Sequence, residues 1–133
     1  MAGLMTHLIV AIVGGITAWL IFKNWKYGVA FLLGHLGPDL MDFGIPGLKM
    51  GSTNPIEIMT HPWFEPLMVL GHTWWHWVIF GIVVIVALMI FRGLKKISKK
   101  TYINWILILL VFLIGIGVHL VLDALIIEKS YWI

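Results

Sequence analysis

"GHLGPDLMDF", residues 34–43, sets a histidine and two aspartates in a chain whose flanks are apolar, and the way it is read decides the fold. These side chains are among the costlier ones to place in hydrocarbon. Just upstream "YGVAFLL" (27–33) is apolar, and Gly34, Gly37 and Pro38 follow it. That order predicts a short helix interrupted by glycine and proline. Broken backbone at membrane depth is tolerated where it is buried in protein or lines a cavity, so His35, Asp39 and Asp42 are expected to turn toward an interior site.

Outward from this stretch, composition fixes the class. Of 133 residues 61% are hydrophobic and 11% charged, with a mean hydropathy of +1.01, outside the usual range of soluble domains. The chain reads as an integral membrane protein. It has no cysteine, which excludes disulfides, thiolate metal sites, thiol nucleophiles and covalent haem attachment. Any metal must rest on His, Asp and Glu. A pI near 9.3 would suit nucleic acid, but five of the nine basic residues lie between Arg92 and Lys100, between two apolar runs. That is the pattern of a cytoplasmic loop, and no nucleic-acid partner is expected. The first apolar run lacks a basic leader and a small-residue cleavage site, and reads as a retained span.

Spanning takes about 20 apolar residues at roughly 1.5 Å each. Residues 4–22, 27–43, 66–91 and 101–127 satisfy this, the second as the interrupted helix, with an outward loop at 44–65 and a basic connection at 92–100. The expectation is a single all-α transmembrane domain over residues 1–133, a four-helix bundle. Lys23, Lys26, Arg92, Lys95, Lys96, Lys99 and Lys100 share one side, which the distribution of basic residues makes cytoplasmic. Both termini then face outward from a cytoplasmic (inner) membrane. Trp19, Trp25, Tyr27, Tyr102 and Trp105 form an inner aromatic belt, and Trp63 and Trp132 an outer one. Gly14, Gly15, Gly81, Gly115 and Gly117 are expected to permit close helix approach.

The intramembrane polar residues converge on this topology. His35 and Asp39, His72 and His76, and His119 and Asp123 are each four apart, so on a helix each pair shares a face. Asp42 follows Asp39 by three, and His7 lies near the outward end of the first span. Most fall in the middle-to-outer part of the bilayer, and the inner connections hold no His, Asp or Glu. An Asp at a helix centre costs roughly 2.5 to 3.5 kcal/mol, which coordination to a cation offsets. Imidazole with carboxylate suits zinc, and also manganese, iron or nickel. A lone histidine such as His7 or His61 is as well explained by a hydrogen bond to a neighbour. Trp74, Trp75 and Trp77 read as outer-leaflet packing.

With these motifs in place, the chain resembles the YdjM-like membrane-bound metal-dependent hydrolases. The residues that carry the resemblance are His7 in "MTHLIV", Asp39 and Asp42 in "GPDLMD", His72 and His76 in "GHTWWHW", and His119 with Asp123 in "GIGVHLVLDAL". The order covers most of the chain. It departs from the family in "PDLMD", where the family has Pro-Asp-x-Asp, and in "HTWWH", one residue shorter than the family's histidine pair. A fainter similarity to the zinc-dependent phospholipase C and P1 nuclease group implies phosphate-ester chemistry.

The expected function is a metal-dependent hydrolase facing the outer side, with His72, His76, His119, Asp123 and Asp39 as ligands. Asp42 or His35 would serve as general base or bridging ligand, and His7 as a ligand or as the partner that orients one. A site at membrane depth implies a substrate that arrives through the lipid, such as a phospholipid or polyprenyl phosphate; a homo-oligomer is compatible with the sequence. Two other classes stay open. One is a metal-stabilised membrane subunit or divalent-ion transporter, and the other is an electron-transfer subunit holding b-type haem between two histidines.

Overall fold

The computed structural model describes residues 4–126, and within them the chain is helical throughout its regular structure. Trp132 and the last residue of the expected fourth span lie outside the described residues. Helix α1 (Leu4–Phe22) is followed by α2 (Trp25–Asp39), which runs into a π turn over Leu40–Gly44 and then α3 (Ile45–Met50). Short α4 (Pro55–Met59) and α5 (Phe64–His72) lead to α6 (Trp74–Gly93) and α7 (Lys99–Leu125). Three helices are long and apolar enough to cross a membrane: Met5–Phe22 in α1, α6 and α7. Their exposed faces carry Ile9, Trp19, Leu20, Val83, Met89 and Ile114, as lipid contact requires.

Local signals place the ends. Asn24 caps α2 by accepting from the Lys26 amide at 3.1 Å, and Ser98 caps α7 through the Thr101 amide at 3.0 Å, the expected use of a side-chain oxygen at a helix start. Lys23 adopts a left-handed conformation (φ 52°) that closes the tight turn between α1 and α2.

α2 is the central element, packed on α7 and on α1. Its contacts pair Gly15 with Gly28 across α1, so those two helices run antiparallel. They pair Tyr27 with Asn104 and Gly34 with Phe112 across α7, so these two run parallel. Small residues make both approaches close. A Cβ on Gly28 would stand 2.7 Å from the Gly15 carbonyl, and one on Gly115 would stand 2.5 Å from the Phe31 carbonyl. A Cβ on Gly81 would stand 3.1 Å from the Leu113 side chain, whereas Gly117 faces open space and so plays no part in the approach expected of it.

Two expected spans are built differently. The chain does not break at Gly37 or Pro38: α2 passes through Pro38 and widens only afterwards, into the π turn, a device that re-aims side chains and recurs at functional sites. At 15 residues α2 is also too short to count among the candidate spans. The expected third span, 66–91, is two helices. Thr73 sits in extended backbone (φ −98°, ψ 110°) between α5 and α6. A helix end leaves carbonyls without partners, and here Met68, Val69, Leu70 and Gly71 are met in turn by the side chains of His72, Thr73, His76 and Trp77. The break is thus capped from within, which makes it tolerable among apolar surroundings. Gly71 lies on Pro38, close enough that an added Cβ would be 3.2 Å from its backbone, and this contact lays the end of α5 against Asp39.

Candidate metal centre

Four elements bring their polar residues to one place: His7 from α1, His35 and Asp39 from α2, His72 from the end of α5, and His119 and Asp123 from α7. Asp42 joins them from the π turn. His7, His35, His119 and Asp42 are buried almost completely, at 0–1% exposure. Burying such groups is costly unless each is paired or coordinates a cation.

Two donor groups can be distinguished, with His119 common to both. The first is His7, His35 and His119. His7 Nε2 donates to Asp123 Oδ1 at 3.1 Å, because an ionised carboxylate only accepts. The other ring nitrogen, Nδ1, is then bare in the neutral ring, and it faces His35 Nε2 at 3.2 Å. Asp123 thereby fixes the tautomer that points a lone pair into the group, the role carboxylates play behind metal-bound histidines.

The second group is Asp39, His72 and His119, with the other Asp123 oxygen beside it. His72 Nδ1 lies 3.2 Å from the Met68 carbonyl. A carbonyl can only accept, so Nδ1 carries the proton and Nε2 is bare. His72 Nε2 stands 3.2 Å from His119 Nε2 and 3.2 Å from Asp123 Oδ2. His119 Nε2 stands 3.3 Å from Asp123 Oδ2, and Asp39 Oδ1 lies 3.8 and 3.7 Å from the His72 and His119 nitrogens. A tetrahedral ion with bonds of about 2.0 to 2.1 Å holds its donors about 3.3 Å apart. Three of these separations match that value, and the two to Asp39 exceed it by no more than 0.5 Å.

Asp42 stands behind His72 rather than in front of it. Its Oδ1 accepts from the Phe43 amide at 2.9 Å, and its Oδ2 is 3.6 Å from His72 Nδ1, on the ring edge away from the donor group. Among the described residues, His35 Nδ1, His119 Nδ1 and Asp42 Oδ2 are buried side-chain atoms with no hydrogen-bond partner. A divalent ion fits this donor set: bare imidazole nitrogens and carboxylate oxygens, soft enough for zinc and shared with manganese, iron and nickel. The identity of the metal is not fixed by it.

His76 is not brought in. The break at Thr73 takes it off the face of His72, so the spacing of four no longer means one side. Its Nδ1 bonds the Leu70 carbonyl at 3.2 Å and its ring packs on Trp75. His61 also lies apart, accepting from the Trp63 amide and meeting the Trp63 ring edge-on. The residue that sequence spacing undervalued is His7, whose long-range pairing with Asp123 has no local signature. The Met68 carbonyl, which sets the His72 tautomer, carries no side-chain signal at all. No protein-family model, curated protein or solved structure matches the chain.

Proposed function

We propose that the chain is a membrane-embedded metal-dependent hydrolase, acting on a phosphate ester or another lipid-borne substrate from the outer face of a cytoplasmic membrane. Four membrane-embedded elements form the bundle, with α2 and its π turn as the second and α5 with α6 as the third. The basic α1–α2 and α6–α7 connections face the cytoplasm. The reading agrees with the resemblance to the YdjM-like hydrolases, and it stands on the centre itself. The observation that carries it is the pair of adjoining donor groups that share His119 and are joined by Asp123.

In this reading His72, His119, Asp39 and Asp123 are the primary ligands, and His7 and His35 complete the first group with His119. A bound divalent ion, zinc first, supplies a Lewis acid and a water acidic enough to act near neutral pH. The chain's own contributions follow from the geometry. The Met68 carbonyl holds the His72 ring with Asp42 Oδ2 3.6 Å behind it, Asp123 holds His7, and the buried surroundings strengthen each of these contacts. Asp42 is accordingly a positioning residue, and His35 a ligand, in place of the general-base role the sequence suggested for either. The three imidazoles of His7, His35 and His119 are the count that leaves a coordination position for water or substrate in catalytic zinc sites.

One observation favours a second reading. His72, His119, Asp39 and Asp123 together offer four protein donors, the number typical of structural zinc. The decisive experiment is elemental analysis of detergent-purified protein beside the His119→Ala/Asp123→Ala variant, followed by assay of the metal-loaded protein on phospholipids and polyprenyl phosphates. The proposal expects near-stoichiometric metal that vanishes in the double variant, and release of phosphate or headgroup. No metal after reconstitution at neutral pH overturns it. Metal without hydrolysis leaves the structural reading in its place, and a Soret band in the absorbance spectrum would replace both with haem.

A further inference from the structure

At the end of the molecule opposite the metal centre, α6 touches α7 but hardly meets α2. The three helices enclose an open cleft of about 990 Å³. Its walls are apolar, with Val84 of α6 near the middle and Phe112 of α7 at its deep end. Its mouth is different: Lys26 and Lys100 stand there, flanked by Trp25 and Trp105, and no carboxylate lines the cleft. Phe112 lies about one helical turn before Gly115 and about two before His119, so the cleft stops short of the metal centre.

We propose that this cleft binds an anionic phospholipid, its acyl chains along α6 and α7 and its headgroup phosphate on Lys26 and Lys100. The chemistry of the mouth selects the occupant. Two ammonium groups with no acidic neighbour favour a negative headgroup, and tryptophans at the same level suit the interface between headgroup and chain. A second copy of the chain fits poorly, because it would bring its own basic segment from Arg92 to Lys100 to the same level, and like charges facing one another oppose association. The lipid is distinct from the substrate of the metal centre, since its phosphate is held at the opposite end of the helices. The inference is therefore independent of the proposed hydrolase activity.

Native mass spectrometry of the detergent-purified chain, titrated with phosphatidylglycerol or phosphatidylcholine, tests it. The wild type should retain phosphatidylglycerol in preference. Near a charged membrane surface each lysine is worth roughly fivefold in affinity, so Lys26→Gln/Lys100→Gln should lose most of the preference. Lys95→Gln/Lys96→Gln, which removes the same charge from the adjoining loop outside the cleft, should keep it. Val84→Trp, which fills the cleft and leaves the lysines, should reduce retention of both lipids. Equal retention of the two lipids by the wild type overturns the proposal. So does an equal loss in the two charge variants, which would mark a general effect of surface charge, or a lipid-free dimer, which would give the cleft to a second copy.

Discussion

Gly115→Ala tests whether helix spacing sets the metal centre. The added Cβ would stand 2.5 Å from the Phe31 carbonyl oxygen and 2.9 Å from the His35 amide nitrogen, where ordinary contact begins at 3.4 Å. Both neighbours are α2 backbone, so no side chain can turn away, and α7 must retreat from α2 by roughly 1 Å. His119 rides on α7 one turn beyond Gly115, and His35 is among the atoms being pushed. Metal–donor distances tolerate about 0.2 Å, so the shift is several times what the centre can absorb, although no ligand has been changed. Overpacking of this kind costs about 1 to 3 kcal/mol in stability, and a 1 Å misplacement can cost ~100-fold in rate. Metal content by elemental analysis and thermal unfolding in detergent, with and without chelator, read the outcome. The expected result is loss of most of the metal and of the chelator-sensitive part of the stability. Gly117→Ala is the control on the same helix: its Cβ meets nothing within 4 Å, and it should leave both quantities intact. If Gly115→Ala keeps wild-type metal and unfolding temperature, the claim that the α2–α7 approach positions the donors is wrong.

Further predictions separate the roles of individual residues. Asp123→Asn should empty the whole centre, since one oxygen faces His72 and His119 and the other holds His7, whereas Asp39→Asn should weaken only the group containing His72; metal titration that shows equal losses would contradict the two-group arrangement. Asp42→Asn should lower metal affinity by roughly 10- to 100-fold without abolishing binding, as expected for a partner behind a ligand, and complete loss would instead make Asp42 a ligand. His76→Ala should retain the metal and its affinity while lowering the thermal unfolding temperature, because it removes a cap from the α5 end; loss of metal would restore it to the ligand set.

The sequence by itself determined the membrane-helical class and singled out most of the residues that the structure clusters. High hydropathy, absent cysteine and the grouping of basic residues require little beyond composition and spacing, and helices α1 and α7 lie within a few residues of their expected bounds because long apolar runs specify their own ends. His119 and Asp123 were legible for the same reason: one uninterrupted helix keeps residues four apart on one face. The tertiary structure decided where that regularity fails. Pro38 was read as the break, yet α2 passes through it and widens only afterwards, in the π turn over Leu40–Gly44. The break falls instead at Thr73, a residue with no breaker chemistry, because side chains from α5, the break and α6 supply the missing bonds to four successive carbonyls. That single change of backbone turns His76 from an apparent partner of His72 into a cap. The pairing of His7 with Asp123, 116 residues apart, was equally invisible, because which helices meet depends on close approaches such as Gly34 on Phe112 and Gly115 on Phe31 that no local pattern encodes.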